Sequence, residues 1–366
     1  MLTEIKLKNF KCFEDETIKL VPFNLFTGLN GMGKSTVIQA LLLLRQSYYE
    51  NFLNKLVLNG ESVQIGNAKD LLFQYAKNRE IAIGLQTNNG MDTQWILNAD
   101  SKLDHLTIIN QPNLANISLV SLFNNKFHFL TAGRLEPRAY YEISTHKVIN
   151  ENQIGIKGEF VFQYLEIYGK KDIPIKKLKH PQTNGLTLYE QVNAWLSEIR
   201  PGSRIGTRSN DDMSLISGFF QFSGGEFVSN NFRLPNVGFG LTYVLPIIVA
   251  ILCSEPGTLL IIENPEAHLH PKGQAQIGSL LALAADNGIQ VIIETHSDHV
   301  LNGARVAVKE GVLKPEDTNL LFFHAEKADD MIKHCVKPLN IDKDGRIDEW
   351  PLDFFDELDK QLLKLI

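Results

Sequence analysis

The chain has 366 residues, 44% of them hydrophobic and 21% charged, enough for one large or two modest domains around an apolar core. Its 36 Lys and Arg against 42 Asp and Glu leave a net charge of −6, which argues against a broad nucleic-acid-binding face while leaving room for a local basic groove. Cys12, Cys253 and Cys335 are scattered without disulfide or metal-ligand spacing, and Met1 leads straight into TEIKLKNF without a leader-like apolar block, so a reducing cytoplasm is the expected compartment.

Residues 23–27, FNLFT, predict a strand; GLNGMGKST follows, and VIQALLLLRQSYY then takes up helical apolar spacing. Gly28 to Ser35 fits G-x-x-x-x-G-K-S in the strand–loop–helix setting that gives this motif its meaning. Glycines let successive backbone N–H groups curl around phosphates, and the helix start adds its dipole. Lys34 is placed to reach the β- and γ-phosphates, and the Ser35 hydroxyl to ligate Mg²⁺. The expected ligands are therefore ATP and Mg²⁺, with contacts from Gly28, Asn30, Gly31, Gly33, Lys34, Ser35 and Thr36.

Farther along, REIAIGLQ, TQWILNA and LTIIN alternate as antiparallel strands do. FHFLTAG (127–133) predicts a core strand, and Arg134 just beyond it is either a phosphate or lobe contact or a solvated arginine. Residues 160–220 read as mainly helical, with TLYEQVNAWLSEI the clearest segment. The apolar run 237–253 is interrupted by Gly240, Thr242 and Pro246 and is short for a membrane span, so it predicts a buried helix. TLLIIE (258–263) and IQVIIE (289–294) are buried-strand patterns ending in acids, joined by the helix-like GQAQIGSLLALAADNG. They read as neighbours in a doubly wound sheet.

With ENPEAHLHP and ETHS following those two strands, the sequence resembles the RecF/SMC/OLD branch of ABC-type ATPases, and within it the small bacterial AAA-type ATPases with ENPE-x-HLHP and ETHS blocks. The resemblance covers residues 1–45 and 232–350. It implies an α/β P-loop NTPase of ABC type, with a mixed central sheet, helices on both faces, a peripheral antiparallel β subdomain and a helical lobe. The corresponding division is an N-terminal ATPase lobe at 1–159, a mainly helical lobe at 160–235 and a C-terminal ATPase lobe at 236–366. Glu263 would hold Mg²⁺ together with Ser35, and His296 would contact the γ-phosphate. His268 and His270 fall where the family has its dimer-facing loop; zinc on these histidines is disfavoured because no cysteine lies nearby.

Two departures from the family matter. FQFSGGEF (221–228) looks like the Ser-Gly-Gly signature, but Ser223 stands forty positions before Glu263 and no helix pattern follows it. NVGFG, with Asn236, Gly238 and Gly240, stands about twenty-five positions before Glu263 and opens an apolar helix, so it is the expected signature; FSGGEF is expected to be a hairpin. Where most relatives place a catalytic Glu after the Walker B acid, this chain has Asn264, whose amide positions water but accepts no proton. Glu294 and Glu266 are the candidate replacements, with slow turnover the remaining alternative.

The resemblance further implies a homodimer that sandwiches ATP. No heptad run of three repeats occurs, so long coiled-coil arms are not expected. The resemblance also implies a regulatory, sensing or scaffold role in a bacterial anti-phage system beside an effector such as a nuclease. No nuclease-like acidic block follows ETHS, so any DNA cutting is expected to belong to another protein. A RecF-like DNA-binding maintenance ATPase is the alternative, with DNA as partner; no membrane partner is expected.

Overall fold

The computed structural model describes residues 1–50, 55–99, 104–224, 227–328 and 331–365. In chain order they form β1 (Leu2–Phe10), β2 (Phe13–Lys19), β3 (Phe23–Gly28), α1 (Lys34–Tyr49), β4 (Lys55–Val57), β5 (Glu80–Thr87), β6 (Asp92–Asn98) and β7 (His105–Ile108). Next come β8 (Phe127–Leu130), β9 (Tyr141–Glu142), α2 (Val161–Tyr168), α3 (Leu188–Ile199), β10 (Ser203–Asn210), β11 (Leu215–Gly224), β12 (Phe227–Val228), β13 (Phe232–Arg233), α4 (Phe239–Cys253), β14 (Leu259–Glu263), α5 (Pro271–Asp286), β15 (Gln290–Glu294) and α6 (Asp298–Lys309). The chain closes with β16 (Thr318–Ala328), β17 (Met331–Leu339) and α7 (Glu357–Leu365). These elements divide into two compact units: one of residues 1–124, 318–342 and 347–366, the other of residues 125–317 and 343–346.

The first unit contains an antiparallel sheet in the order β2-β1-β5-β6-β7-β4. The three alternating runs of the sequence are β5, β6 and β7, and their register sets Ile83 opposite the fully buried Trp95. That register is fixed by the apolar face, since a one-residue slip would turn every inward side chain to water. The same unit carries β3 parallel to β16, which pairs antiparallel with β17. β3 is buried along its whole length, as its unbroken apolar run requires, and it delivers its last residue, Gly28, opposite Phe323. α1 follows, burying Val37, Ile38, Leu41 and Leu44.

In the second unit β14 lies between β15 and β8, all parallel, with α5 as the crossover from β14 to β15. The register pairs Glu263 with Glu294, so two acids end adjacent strands side by side. The stretch 160–220 is not mainly helical. It holds α2 and α3, the latter opened by a reciprocal Thr187–Glu190 capping box, and then the long antiparallel pair β10–β11. The reason is the period: Ile216, Gly218 and Phe220 point inward at every second position, and a helix cannot bury that set on one face. FSGGEF continues this ribbon, with Ser223 opposite Val228 and Gly224 opposite Phe227; Gly225 and Glu226 lie outside the described residues. The apolar 237–253 run is α4, which passes through Pro246 unbroken and is buried from Leu241 onward except at Tyr243. Among the described residues no helix is long and apolar enough to cross a membrane.

Candidate functional site

The phosphate loop is built by backbone conformations that side chains rarely adopt. Gly28, Gly31 and Gly33 have φ of 132°, 77° and 105°. A side chain at Gly28 would place its Cβ 2.1 Å from the Phe323 carbonyl oxygen, so strand pairing itself demands glycine there. At Gly33 the same atom would meet Cys12 Sγ at 2.8 Å and the Phe13 ring at 2.7 Å. Gly33 caps α1, and Lys34, its first residue, is only 3% exposed. The lysine folds back over the loop, donating from Nζ to the carbonyl oxygens of Gly28 at 2.8 Å and Leu29 at 2.9 Å. Three left-handed glycines, a helix start and a buried ammonium against the loop fit a polyphosphate. Asn30 and Leu29 are exposed, Ser35 and Thr36 half-buried. From β17, His334 reaches the Gly31 backbone; burial holds its imidazole below the usual range.

The ends of β14 and β15 carry the second cluster, and it is braced from several directions. Glu263 accepts from the Thr131 hydroxyl at 3.1 Å and the Ala132 N–H at 2.9 Å, so its carboxylate is turned toward the end of β8. Arg134, 3% exposed, donates from Nη1 to the carbonyl oxygens of Glu263 at 2.8 Å and Thr131 at 3.2 Å, and from Nη2 to that of Asn264. Burial lowers the Arg134 guanidinium to about 10, partly offset by Glu266, Tyr243 and Glu263. Asn264 itself adopts φ of 44° and donates its N–H to the Glu294 carbonyl at 2.8 Å.

Glu266 has both oxygens engaged: one accepts from the Thr295 hydroxyl at 2.7 Å, the other from the His296 N–H at 2.8 Å. It thereby ties the ENPE turn to the ETHS turn. Glu294 is 7% exposed and Thr295 fully buried, while His296 is exposed. Ser297 caps α6 by accepting from the Val300 N–H and donates to Gln274 Oε1 at 2.5 Å.

Residues 23–302 match the family described as "AAA domain, putative AbiEii toxin, Type IV TA system", and residues 313–365 match one described as "Protein of unknown function (DUF3696)". The chain belongs to the AAA-domain family. It is similar to an OLD nuclease of Thermus scotoductus, at 23% identity over 359 residues, 90% of this chain but 65% of that protein's length. Among solved structures, an SMC head bound to the C-winged helix domain of ScpA matches with a TM-score of 0.58 at 14% identity, covering 92% of this chain and 98% of that one. A second, an SMC head with an extended coiled coil bound to the C-terminal domain of ScpA, derived from Pyrococcus furiosus, matches with a TM-score of 0.52 at 13% identity, covering 100% and 99%. The fold is thus that of an α/β P-loop ATPase domain of ABC type.

In this AAA-domain protein the NVGFG segment leads into α4, with Gly238 as the cap and Phe239 as the first helical residue. Gly240 lies so close to the loop after β14 that a Cβ would stand 2.6 Å from the His268 carbonyl oxygen. The His268 ring packs against Tyr243 and Phe239, and His270 caps α5 by accepting from the Lys272 N–H. A cavity of about 460 Å³ opens beside this corner, lined by Arg200, Phe222, Asn236, Gly238, Gly240 and His268 among others, with the Arg200 guanidinium 3.3 Å from the centre of the Phe222 ring.

Sequence reasoning missed the Arg134 grip, the Thr131–Ala132 hold on Glu263, the Glu266 clasp and the His334 contact. Arg134 is no solvated surface arginine. Its proximity to a predicted strand end was the one available signal, because two of its three acceptors are main-chain oxygens about 130 positions away.

Proposed function

We propose that this chain is an ATP-binding and ATP-hydrolysing head that dimerises around MgATP and serves as the regulatory, sensing or scaffold subunit of a bacterial anti-phage system, beside an effector protein such as a nuclease. The observation that carries the nucleotide half is the phosphate loop, where three left-handed glycines and the buried Lys34 meet at a strand–helix junction. Gly28 to Thr36 would hold the phosphates, with Ser35 and Glu263 as the Mg²⁺ ligands. ATP, when bound, supplies the phosphoanhydride that the bound cation polarises. The chain's own contribution is orientation: His296 senses the γ-phosphate, Asn264 orients water through its amide, and Glu294 aligns the attacking water. Glu266, both of whose oxygens are engaged with the ETHS turn, fixes the backbone that presents His296. Asn236, Gly238 and Gly240 would cap the nucleotide of a second copy.

Support for the effector half comes from the toxin–antitoxin wording of the family description and from the OLD nuclease relative, of which this chain spans 65%. The first test is phosphate release from MgATP by the purified chain, with Lys34→Ala as blank. Turnover above the blank is expected; turnover equal to it, with ATP bound, would remove the hydrolytic half and leave an ATP-held scaffold.

A further inference from the structure

The β16–β17 pair places three metal-binding side chains on one face. His324 stands directly opposite Cys335, and Glu326, two residues along β16, follows on the same side by the strand's period of two. One donor atom of each lies within 4.8 Å of the others. His324 Nε2 is 3.0 Å from Glu326 Oε1, while its Nδ1 is 3.5 Å from the Phe322 carbonyl oxygen. That is the arrangement a metal-binding imidazole uses, one nitrogen toward the ion and the other toward a backbone acceptor that fixes the tautomer. The ring is also held in place, stacked at 4° on Phe322, whose other neighbour is Phe354. His324 is 23% exposed and Glu326 65%, so the face is open to an incoming ion. Glu16 on β2 is near enough to interact electrostatically with both His324 and Cys335, adding a second carboxylate; Lys333 is the opposing cation.

We propose that His324, Glu326 and Cys335 form a binding site for a borderline-soft divalent cation of the Zn²⁺ class. The donor set is one imidazole, one carboxylate and one thiolate, the mixture that excludes Mg²⁺ and Ca²⁺ and suits Zn²⁺ or Co²⁺. Ligand bonds of about 2.0–2.3 Å put tetrahedral donors roughly 3–4 Å apart, so small side-chain adjustments complete the site and a fourth position remains for water. The thiol gives up its proton to solvent as the ion binds, with no redox change. The site is separate from the phosphate loop: Cys335 leaves β17 on the face opposite its neighbour His334, which contacts that loop, and His324 and Glu326 on β16 share the Cys335 face.

The test is a Co²⁺ titration of the full chain, reduced beforehand and freed of thiol reagents, followed by absorbance. A thiolate-to-cobalt charge-transfer band saturating at one equivalent is expected, competed away by Zn²⁺ but not by excess Mg²⁺. Cys335→Ser should abolish the band, His324→Ala should weaken Co²⁺ binding by tenfold or more, and Cys12→Ser should leave it intact. Circular dichroism establishes that each variant is folded, and His324→Ala offers a second, partly exposed position should Cys335→Ser fail that check. No band in the parent, or a band that survives Cys335→Ser, overturns the assignment.

Discussion

The phosphate loop and the carboxylate cluster meet the same demand, fixed polar groups where charge must be handled, by opposite means. The loop is contiguous: from Gly28 to Thr36 nearly every determinant is in the local sequence, and Lys34 bonds to carbonyls only five and six positions away. The cluster is assembled: Glu263 is held by Thr131 and Ala132, Arg134 by Asn264, and Glu266 by Thr295 and His296, across separations of about 30 to 130 positions. A contiguous site draws its rigidity from backbone conformation. An assembled one draws it from hydrogen bonds that exist only after folding, so the same substitution should strike function in one and stability in the other.

Lys34→Ala gives the largest functional effect and the cleanest break between the two. It should weaken ATP binding by about a hundredfold or more through loss of charge-assisted bonds, with a smaller loss of stability than Arg134→Met because two carbonyls rather than three lose a donor, as titration calorimetry and urea denaturation would report. Glu294→Gln should lower turnover by about 10²–10⁴ while ATP still binds, the scale of losing a group that manages the attacking water. An unchanged rate would remove Glu294 from the proposed mechanism.

Arg134→Met should reverse the Lys34 pattern. Three main-chain carbonyls lose a charged donor together, costing about 3 kcal/mol or more in urea unfolding, and Arg134→Lys should not restore it because an ammonium cannot span a fork of acceptors. A Met variant as stable as the parent would mean the cluster is not held by this residue. Glu266→Gln should cost about 1–2 kcal/mol locally, read as faster amide exchange at His296 rather than as global unfolding.

The smallest effect is on pH. His334 is held below its ordinary value of 6.5 by burial, so the unfolded chain takes up this proton first as pH falls. Its contribution to stability is therefore lost on acidification from about 6.5 downward, and His334→Asn should flatten that part of the stability profile.

These contrasts also explain what was legible beforehand. The strand–loop–helix around Lys34, the alternating β5–β7 runs and the two apolar strands ending at Glu263 and Glu294 all have local causes, periodicity and glycine placement, and each appears in the fold. The β10–β11 ribbon was lost within a helix-rich stretch because its alternation spans only short runs beside strong helix patterns in α2 and α3. Arg134 was illegible for another reason: carbonyl oxygens have no identity in a sequence, so a side chain that serves them leaves no pairing pattern. The His324–Cys335 juxtaposition likewise depends on hairpin register, not on ligand spacing along the chain.

The backbone at Asn264 constrains which residue can stand there. Its φ of 44° lies in the region that asparagine tolerates better than almost any residue bearing a side chain, apart from aspartate. A glutamate introduced there would meet backbone strain of about 1 kcal/mol or more before its carboxylate reached any water. Placing glutamate at 264 therefore requires the turn after β14 to be rebuilt along with it. Under the proposed mechanism the proton chemistry falls to another position, and Asn264→Glu is expected to lower stability by that strain, as urea unfolding would report.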